Sequence, residues 1–145
     1  MSGLYALTYT SEARLPLLRS QIDHILLRSR ERNPIQGVTG VLLYSDGKFM
    51  QYLEGPKPGL EEIFGIIKAD SLHHRIVEEE LERIWVREFE QWSMAFRSGG
   101  TYGMSHPMQL DALLSGRLIE NMGSSSTSIQ RIFEFWTQCK GLRAS

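Results

Sequence analysis

Apolar residues recur along the chain with two different periods, and each period predicts one kind of element. Leu4 to Thr10 alternates and is rich in leucine, tyrosine and threonine, which predicts a β-strand. From Pro16 to about Arg32 the apolar positions recur at helical spacing instead. We expect Asn33-Pro34 to end this helix, because a residue that precedes proline disfavours the α region. The apolar stripe of the helix consists of Leu15, Leu18, Ile22, Ile25 and Leu26.

Val38 to Gly55 has the pattern of a β-hairpin, with Asp46-Gly47 as its two-residue turn. Gln51 is the one uncharged amide in the otherwise apolar second strand. If that strand is buried, the amide needs hydrogen-bond partners, and its rotation exchanges a donor for an acceptor. Gln51 is therefore a candidate switch. Spacing alone favours a simpler interpretation, a glutamine on the solvent face of an amphipathic strand.

The remaining pattern up to residue 98 completes one sheet. Pro58 to Ala69 predicts a second helix, and Ser93 to Ser98 predicts a short final strand. Ile76 to Val86 is ambiguous, because its glutamates favour a helix while its β-branched residues favour a strand. The resulting order β-α-β-β-α-β-β predicts an α+β, ferredoxin-like fold with two helices on one face. The second helix has its apolar stripe at Leu60, Ile63, Phe64 and Ile67.

Gly99-Gly100 marks a break between two expected parts of the chain, residues 1–98 and residues 99–145. Pro107 to Leu118 and Thr127 to Gln138 follow, each with apolar residues at helical spacing. These two helices must bury their apolar faces. The sheet face opposite the first two helices is the nearest candidate, and a partner subunit is the other.

Composition narrows the function classes. The chain has 145 residues, enough for one domain with an ordinary core, and a formal net charge of −1 that gives no basic field for nucleic acid. Cys139 is the single cysteine, and no Cys/His cluster has zinc spacing, so we expect no metal site. His73 and His74 are adjacent, and solvated or capping histidines are the simplest interpretation. Neither a signal peptide nor an apolar run of ~20 residues is present, so we expect a cytosolic protein.

Motifs for common chemistries are missing from the sequence. There is no Gly-x-Ser-x-Gly elbow, no Gly-x-Gly-x-x-Gly turn and no P-loop. The run Glu78 to Glu82 is most simply a solvated face. The residues alone therefore indicate a soluble α+β domain in which Tyr9, Asn33 and Gln51 lie at strand and helix ends near an apolar layer.

Five sequence blocks, in this order and at these intervals, resemble the BLUF family of blue-light sensors that use FAD. The resemblance covers about residues 3 to 98. It implies a ferredoxin-like fold with FAD between the two core helices, and it assigns Ile76 to Val86 to a strand. The blocks are Leu4 to Ser11, Asn33 to Tyr44, Phe49 to Gly55, Asp70 to His73 and Phe89 to Met94.

The resemblance also implies roles for individual residues. Tyr9 is the phenol beside the flavin, and Gln51 lies between Tyr9 and the N5/C4-carbonyl edge of the ring. Asn33 hydrogen-bonds the same edge, and Asp70 meets the pyrimidine end. Ile25 and Ile67 sandwich the ring, and Trp92 and Met94 are the pair on the last strand of which one lies next to Gln51. The implied cofactor-binding set is Ile25, Ser29, Asn33, Gln51, Ile67, Asp70, His73, Trp92 and Met94.

Two positions depart from the family pattern. Arg32 stands where the family often has asparagine, and Leu72 stands where it often has arginine. The second change removes a cation that would serve the flavin or its phosphates. Lys68, Arg28 and Arg30 are alternative sources of that charge, and the sequence does not select among them.

The resemblance implies a short blue-light photoreceptor that is not an enzyme. Its expected partners are FAD and a separate effector protein, with a homo-oligomer as the alternative route for the signal, and neither nucleic acid nor a membrane is expected to bind directly. A ferredoxin-like module without flavin, which binds a small metabolite or serves assembly, is the alternative. An FAD redox enzyme is disfavoured, because no acid, base or thiol for a substrate accompanies the flavin site.

Overall fold

Six strands form one sheet in the computed structural model, which describes residues 3–45, 47–79, 81–89 and 94–98 together with Glu134. The helices are α1 (Arg19–Arg32) and α2 (Lys57–Ala69), with a short 3-10 helix at Asn33–Gln36. The strands are β1 (Leu4–Ala13), β2 (Thr39–Ser45), β3 (Lys48–Pro56), β4 (His73–Glu78), β5 (Glu82–Ile84) and β6 (Ala95–Ser98).

The strand order is β4-β1-β3-β2-β6, with β5 also paired to β1. Strand β6 runs parallel to β2, and the other pairs are antiparallel. This arrangement confirms the predicted α+β, ferredoxin-like order of strands and helices. The two helices expected after Gly99 lie outside the described residues. Of the helices that the structure does describe, neither is long and apolar enough to cross a bilayer.

Alternation along the strands separates the sheet into two faces. One face packs against both helices and forms the main core. Every second residue of β3 points to it, which places Phe49, Gln51 and Leu53 on this face. The core cluster includes Leu7, Tyr9 and Leu42 from the sheet, Ile22 and Leu26 from α1, and the predicted α2 stripe Leu60, Ile63, Phe64 and Ile67.

The opposite face carries a buried hydrogen-bonded cluster around one carboxylate, that of Glu54. Glu54 is 0% exposed, and its carboxylate accepts four hydrogen bonds. One oxygen receives the Tyr52 hydroxyl at 3.1 Å and the Glu88 amide at 2.8 Å, while the other receives Thr39 Oγ1 at 2.9 Å and the Phe89 amide at 2.8 Å. This cluster fastens the segment 88–89 to the hairpin.

Two further groups complete that cluster. Arg87 donates to the Gly37 carbonyl at 2.6 Å, to Thr39 Oγ1 at 3.0 Å and to the Glu54 carbonyl at 3.3 Å. The Phe89 ring packs edge-on against Tyr52 with centroids 5.4 Å apart. Burial raises the pKa of the Glu54 carboxyl above its ordinary value, and the hydrogen bonds that it accepts offset part of that shift.

The start of α1 differs from the prediction. The helix begins at Arg19 rather than at Pro16, and the Gln21 side chain caps it by accepting the Leu18 amide at 2.8 Å. Leu18 has an extended backbone (φ −80°, ψ 153°) and lies before the first helical residue. Leu17 is buried, whereas Leu15 and Leu18, which we expected on the buried stripe, are 75% and 66% exposed.

The end of α1 lies where it was predicted, but for a different reason. Asn33 keeps an α conformation (φ −61°, ψ −42°), and the chain continues as the 3-10 helix up to Gln36. Gly37 then ends the turn with φ 69°. The expectation that Asn33 leaves the α region before Pro34 was wrong.

The ambiguous segment from Ile76 to Val86 is two short strands rather than one. Strand β4 ends at Glu78, and β5 pairs with the beginning of β1. Trp85 and Val86 lie beyond β5 and are 79% and 68% exposed. The predicted hairpin is confirmed with Gly47 at φ 76°, and Asp46 lies outside the described residues. The final strand begins at Ala95, and Ser93 also lies outside that range.

Candidate functional site

A cavity of about 310 Å³ lies between α1 and α2, with the sheet as its floor. Tyr9, Leu42, Phe49 and Gln51 form the floor and are buried. The rim is exposed on both sides, because its residues lie on the outer parts of the two helices. From α1 the lining residues are His24, Ile25, Arg28, Ser29 and Arg32, and from the α2 side they are Ile66, Ile67, Ala69, Asp70, Leu72 and His73.

The floor contains a short chain of hydrogen bonds centred on Gln51. The Tyr9 hydroxyl donates to Gln51 Oε1 at 2.6 Å, and Gln51 Nε2 donates to the Met94 sulfur at 3.5 Å. A thioether accepts but cannot donate, so the amide nitrogen rather than the oxygen faces it. Gln51 is 3% exposed, which confirms that the amide needs buried partners and overturns its placement on a solvent face.

Tyr9 is held as a neutral phenol. Burial raises its pKa well above the ordinary value, the positive charge of Arg32 opposes that rise, and Asp70 adds to it. The ring packs against Phe64 with centroids 5.5 Å apart and against His73 at 6.0 Å. Any loss of the hydroxyl proton therefore has to accompany another charge change in the cavity.

Met94 lies immediately before β6, and its position depends on α1. Arg30 Nε donates to the Met94 carbonyl at 3.1 Å, while the Met94 side chain is 1% exposed within the core. Met94 therefore occupies the place next to Gln51 in this structure. Trp92, the other residue of the expected pair, lies outside the described residues.

Asn33 and Ser29 are buried at the end of α1. Arg32 bridges them at the limit of hydrogen-bonding distance, with Nε 3.5 Å from Asn33 Oδ1 and a terminal nitrogen 3.5 Å from Ser29 Oγ. Ser29 lines the cavity, whereas Asn33 is not among the lining residues. Arg32, which the sequence marked only as a departure from a family pattern, is thus part of the cavity wall.

His73 is not a solvated histidine, but the other interpretation from its sequence position, a capping histidine, is confirmed by its contact with the Ile67 carbonyl in the last turn of α2. It is 8% exposed and both ring nitrogens have partners. Nε2 lies 2.8 Å from the Ile67 carbonyl and Nδ1 lies 2.7 Å from Ser11 Oγ. Because a carbonyl only accepts, Nε2 carries the proton and Nδ1 accepts from the serine hydroxyl.

Asp70 combines a structural role with its place on the rim. It follows the last residue of α2, and its Oδ1 accepts the Leu72 amide at 2.9 Å. Ile25 and Ile67 line the cavity from opposite helices. Among the described residues, no group of three histidine, cysteine, aspartate or glutamate side chains could hold a metal ion.

His24 is the polar lining residue that the sequence reasoning missed. It precedes Arg28 and Arg32 by four and eight positions, so the three share one face of α1. The four-residue spacing was the signal in the sequence that could have placed His24 beside Arg28 and Arg32. It was missed because Arg28 entered the sequence analysis only as one of three alternative cations.

The cavity fits a flavin by its own chemistry. Its volume lies at the lower end of the range of small-molecule sites, so it encloses one ring system and leaves a larger ligand to extend past the rim. Apolar side chains from two helices suit a flat ring. The polar floor at Tyr9 and Gln51 offers a donor and an acceptor to a ring edge.

The sequence matches one family model and several known proteins. Residues 4–95 match the model of the BLUF family, described as sensors of blue-light using FAD. Photoactivated adenylate cyclase subunit beta of Euglena longa is 31% identical over 109 residues, which is 74% of this chain but only 13% of that protein. The blue light- and temperature-regulated antirepressor BluF of Escherichia coli (strain K12) is 35% identical over 75 residues, 52% of this chain and 19% of its own length.

Solved structures give the same result. The dark state of BlrB, a BLUF protein, superposes with a TM-score of 0.67 at 34% identity and covers 97% of this chain and 98% of that one. The photo-activated state of BlsA has a TM-score of 0.67 at 23% identity over 98% of this chain and 99% of that one, which supports the fold alone. This chain therefore belongs to the BLUF family, the FAD-binding sensors of blue light.

Proposed function

We propose that this protein is a blue-light photoreceptor in which Tyr9 and Gln51 are the photochemical pair. The observation that carries the proposal is the 2.6 Å hydrogen bond from the Tyr9 hydroxyl to Gln51 Oε1 on the floor of the cavity. Both residues are buried and both line the space between the helices that fits a flavin ring. The proposed set around them is Ile25, Ser29, Asn33, Ile67, Asp70, His73, Trp92 and Met94.

FAD, when bound, absorbs blue light and becomes a strong oxidant in its excited state. Tyr9 then supplies an electron and, with it, the hydroxyl proton, because burial makes a bare phenolate or a charged ring costly. The proton leaves toward the Gln51 oxygen, which already accepts the hydrogen bond. Gln51 is thus the relay as well as the neighbour.

Gln51 retains the signal after the charges recombine. Rotation or tautomerisation of the amide exchanges its donor and acceptor, and either change alters what it presents to Tyr9, to Met94 and to the ring edge. The contact to the Met94 sulfur is long at 3.5 Å and its acceptor is weak, so little is lost when it breaks. A Gln51 donor turned toward the edge of a bound flavin would strengthen a hydrogen bond to the ring, which would shift its absorption to the red.

The output of the proposed sensor is a separate protein or a changed homo-oligomer in the cytoplasm, and the chain itself is not an enzyme. We assign residues 1–98 to the sensor and residues 99–145 to output. The match to the family model supports this division, because it ends at residue 95. The matched relatives named as a cyclase and an antirepressor suggest the kinds of partner.

The deciding experiment is the absorption spectrum of the purified protein in the dark and after blue illumination, for the natural chain and for Tyr9→Phe. We expect a flavin spectrum with a reversible red shift in the natural protein. Tyr9→Phe keeps the ring and the cavity shape but removes the hydroxyl, so it should retain flavin and lose the shift.

Two results would contradict the proposal. A colourless protein would favour the alternative of a ferredoxin-like module without flavin. A normal photocycle in the Tyr9→Phe variant would show that the phenol is not the electron and proton source.

A further inference from the structure

The two sides of the cavity rim carry opposite charge. The α1 side has Arg28 and His24, both exposed and both lining the cavity. The α2 side has Asp70, while Lys68 turns away onto the Phe64 ring, with its Nζ 4.9 Å from the ring centroid. An anion that leaves the cavity is therefore attracted to the α1 side and repelled from the α2 side.

His24, Arg28 and Arg32 follow one another at intervals of four residues along α1. Such residues lie one above another on the same helix face, and eight residues correspond to about 12 Å of helix. The row extends from the half-buried Arg32 beside Tyr9 to the exposed His24. It forms a basic strip along one wall of the cavity.

In the described part of the chain, the outer cation of this strip, Arg28, is not neutralised by an ion pair with a carboxylate, whereas Arg32 at its inner end is under the influence of Asp70. Burial lowers the pKa of Arg32, and the nearby charge of Arg28 lowers it further. The two cations therefore repel one another. Like charges beside a cavity are relieved by an anionic ligand.

The same geometry distinguishes Arg28 from the other candidate cations. Arg30 donates to the Met94 carbonyl on the core side, and Lys68 lies over Phe64. Neither lines the cavity. Of the three residues that the sequence left open as substitutes for a cation at Leu72, Arg28 alone reaches the rim.

We propose that Arg28, assisted by His24, binds the pyrophosphate of FAD at the α1 side of the cavity rim. This inference rests on the proposed flavin site. The cavity has room for one ring system, so the phosphates lie at or beyond its rim, where Arg28 and His24 are exposed. A guanidinium gives a phosphate two parallel hydrogen bonds, and the imidazole adds a third donor.

The test is an exchange experiment on the full-length, flavin-loaded protein in the dark. The bound flavin is equilibrated with mixtures of riboflavin, FMN and FAD, and the bound fraction is separated and analysed by chromatography. The ratio of bound FMN or FAD to bound riboflavin measures the contribution of the phosphates. A general loss of cavity shape lowers the affinity for all three ligands and leaves this ratio unchanged.

We expect Arg28→Gln to lower the preference for FMN and FAD over riboflavin by about three- to tenfold, since a charge-assisted bond at an exposed site is partly screened by water. Arg28→Lys keeps the charge and should retain most of the preference. Arg30→Gln removes the same charge from the same helix and should leave the ratio nearly unchanged. The preference of the natural protein should also weaken as salt is added.

The inference is overturned if Arg28→Gln keeps the natural ratio, or if Arg30→Gln changes it as much. Equal retention of riboflavin and FAD by the natural protein would also overturn it. All three results leave the proposed function intact as long as the protein holds flavin and shows the red shift. A protein without flavin or without a light response contradicts the proposed function instead.

Discussion

Strand β3 carries two buried polar side chains, Gln51 toward the helices and Glu54 toward the opposite face. Gln51 is neutral, has two hydrogen-bond partners, and one of these is a weak acceptor at 3.5 Å. Glu54 has four donors at 2.8 to 3.1 Å, two of them backbone amides. Rotation of the Gln51 amide therefore costs little hydrogen-bond energy. Displacement of the Glu54 carboxylate would leave several buried donors unpaired.

The comparison indicates a division between a part that can rearrange and a part that cannot. The Gln51 side has room for a ligand and a partner that is lost at small cost. The Glu54 side ties β2, β3 and the segment 87–89 together through groups that require the carboxylate. Under the proposed photochemistry, a light signal that starts at Gln51 would be expressed as movement relative to the Glu54 side rather than as a general loosening of the fold.

The largest expected effect is at Gln51. Gln51→Leu preserves the approximate volume but removes the relay and leaves the Tyr9 hydroxyl without its partner, so the reversible red shift should disappear completely. The light-minus-dark difference spectrum measures this, with flavin content determined on the same sample. A preserved shift in this variant would remove Gln51 from the proposed photochemistry.

The matched change on the other face is Glu54→Gln, and it should have the opposite profile. An amide presents one oxygen and one donor group, so a backbone amide at residue 88 or 89 is left unpaired. We expect a loss of about 1–3 kcal/mol in the free energy of unfolding with the red shift retained. Denaturant unfolding and the difference spectrum together test it, and loss of the shift without loss of stability would contradict the division.

The pH dependence of stability provides a second test of the same residue. Because burial raises the pKa of Glu54 in the folded protein, the folded state binds this proton more tightly than the unfolded state does. The stabilisation that comes from binding this proton is complete below the ordinary pKa of 4.5, and it is lost as the pH rises through the raised pKa of the folded state. The difference in unfolding free energy between the natural chain and Glu54→Gln should therefore change across that window.

The smallest expected effect is at Met94. Met94→Leu removes the sulfur acceptor of Gln51 Nε2 with little change in volume. If this hydrogen bond is partly formed in the transition state of dark recovery, its removal raises the barrier. We expect recovery to slow by about two- to fivefold. Met50→Leu, a buried methionine on the other face of β3, is the control and should recover at the natural rate.

Strong local periodicity made β1, the hairpin and α2 predictable from the sequence. Helix α1 was placed correctly, but it begins at Arg19, three residues after the predicted start at Pro16. Leu17 is buried although it lies before the helix, which a helical pattern does not predict. The burial of Gln51 was also readable, because it has the same parity as Phe49 and Leu53. The interpretation of Gln51 as a solvent-facing residue did not take into account that every second residue of the strand shares one face.

The environment of His73 could not be predicted from its neighbours in sequence. Its ring nitrogens bond to Ser11, which is 62 positions away, and to the Ile67 carbonyl at the end of α2. Such long-range partners appear only once the sheet and helices are assembled. The family resemblance identified the Tyr9 and Gln51 positions, whereas the basic strip on α1 is visible only in the lining of the cavity.

The bond from Arg30 to the Met94 carbonyl joins one wall of the cavity to the residue that contacts Gln51. Whatever binds between the helices and stabilises that wall also favours one position of Met94. By thermodynamic reciprocity, a state in which Gln51 and Met94 have rearranged must hold its chromophore with a different affinity, by the same factor. If light rearranges Gln51 and Met94 as proposed, illumination should change how tightly the protein retains its flavin, and prolonged light would alter the ratio of loaded to empty protein.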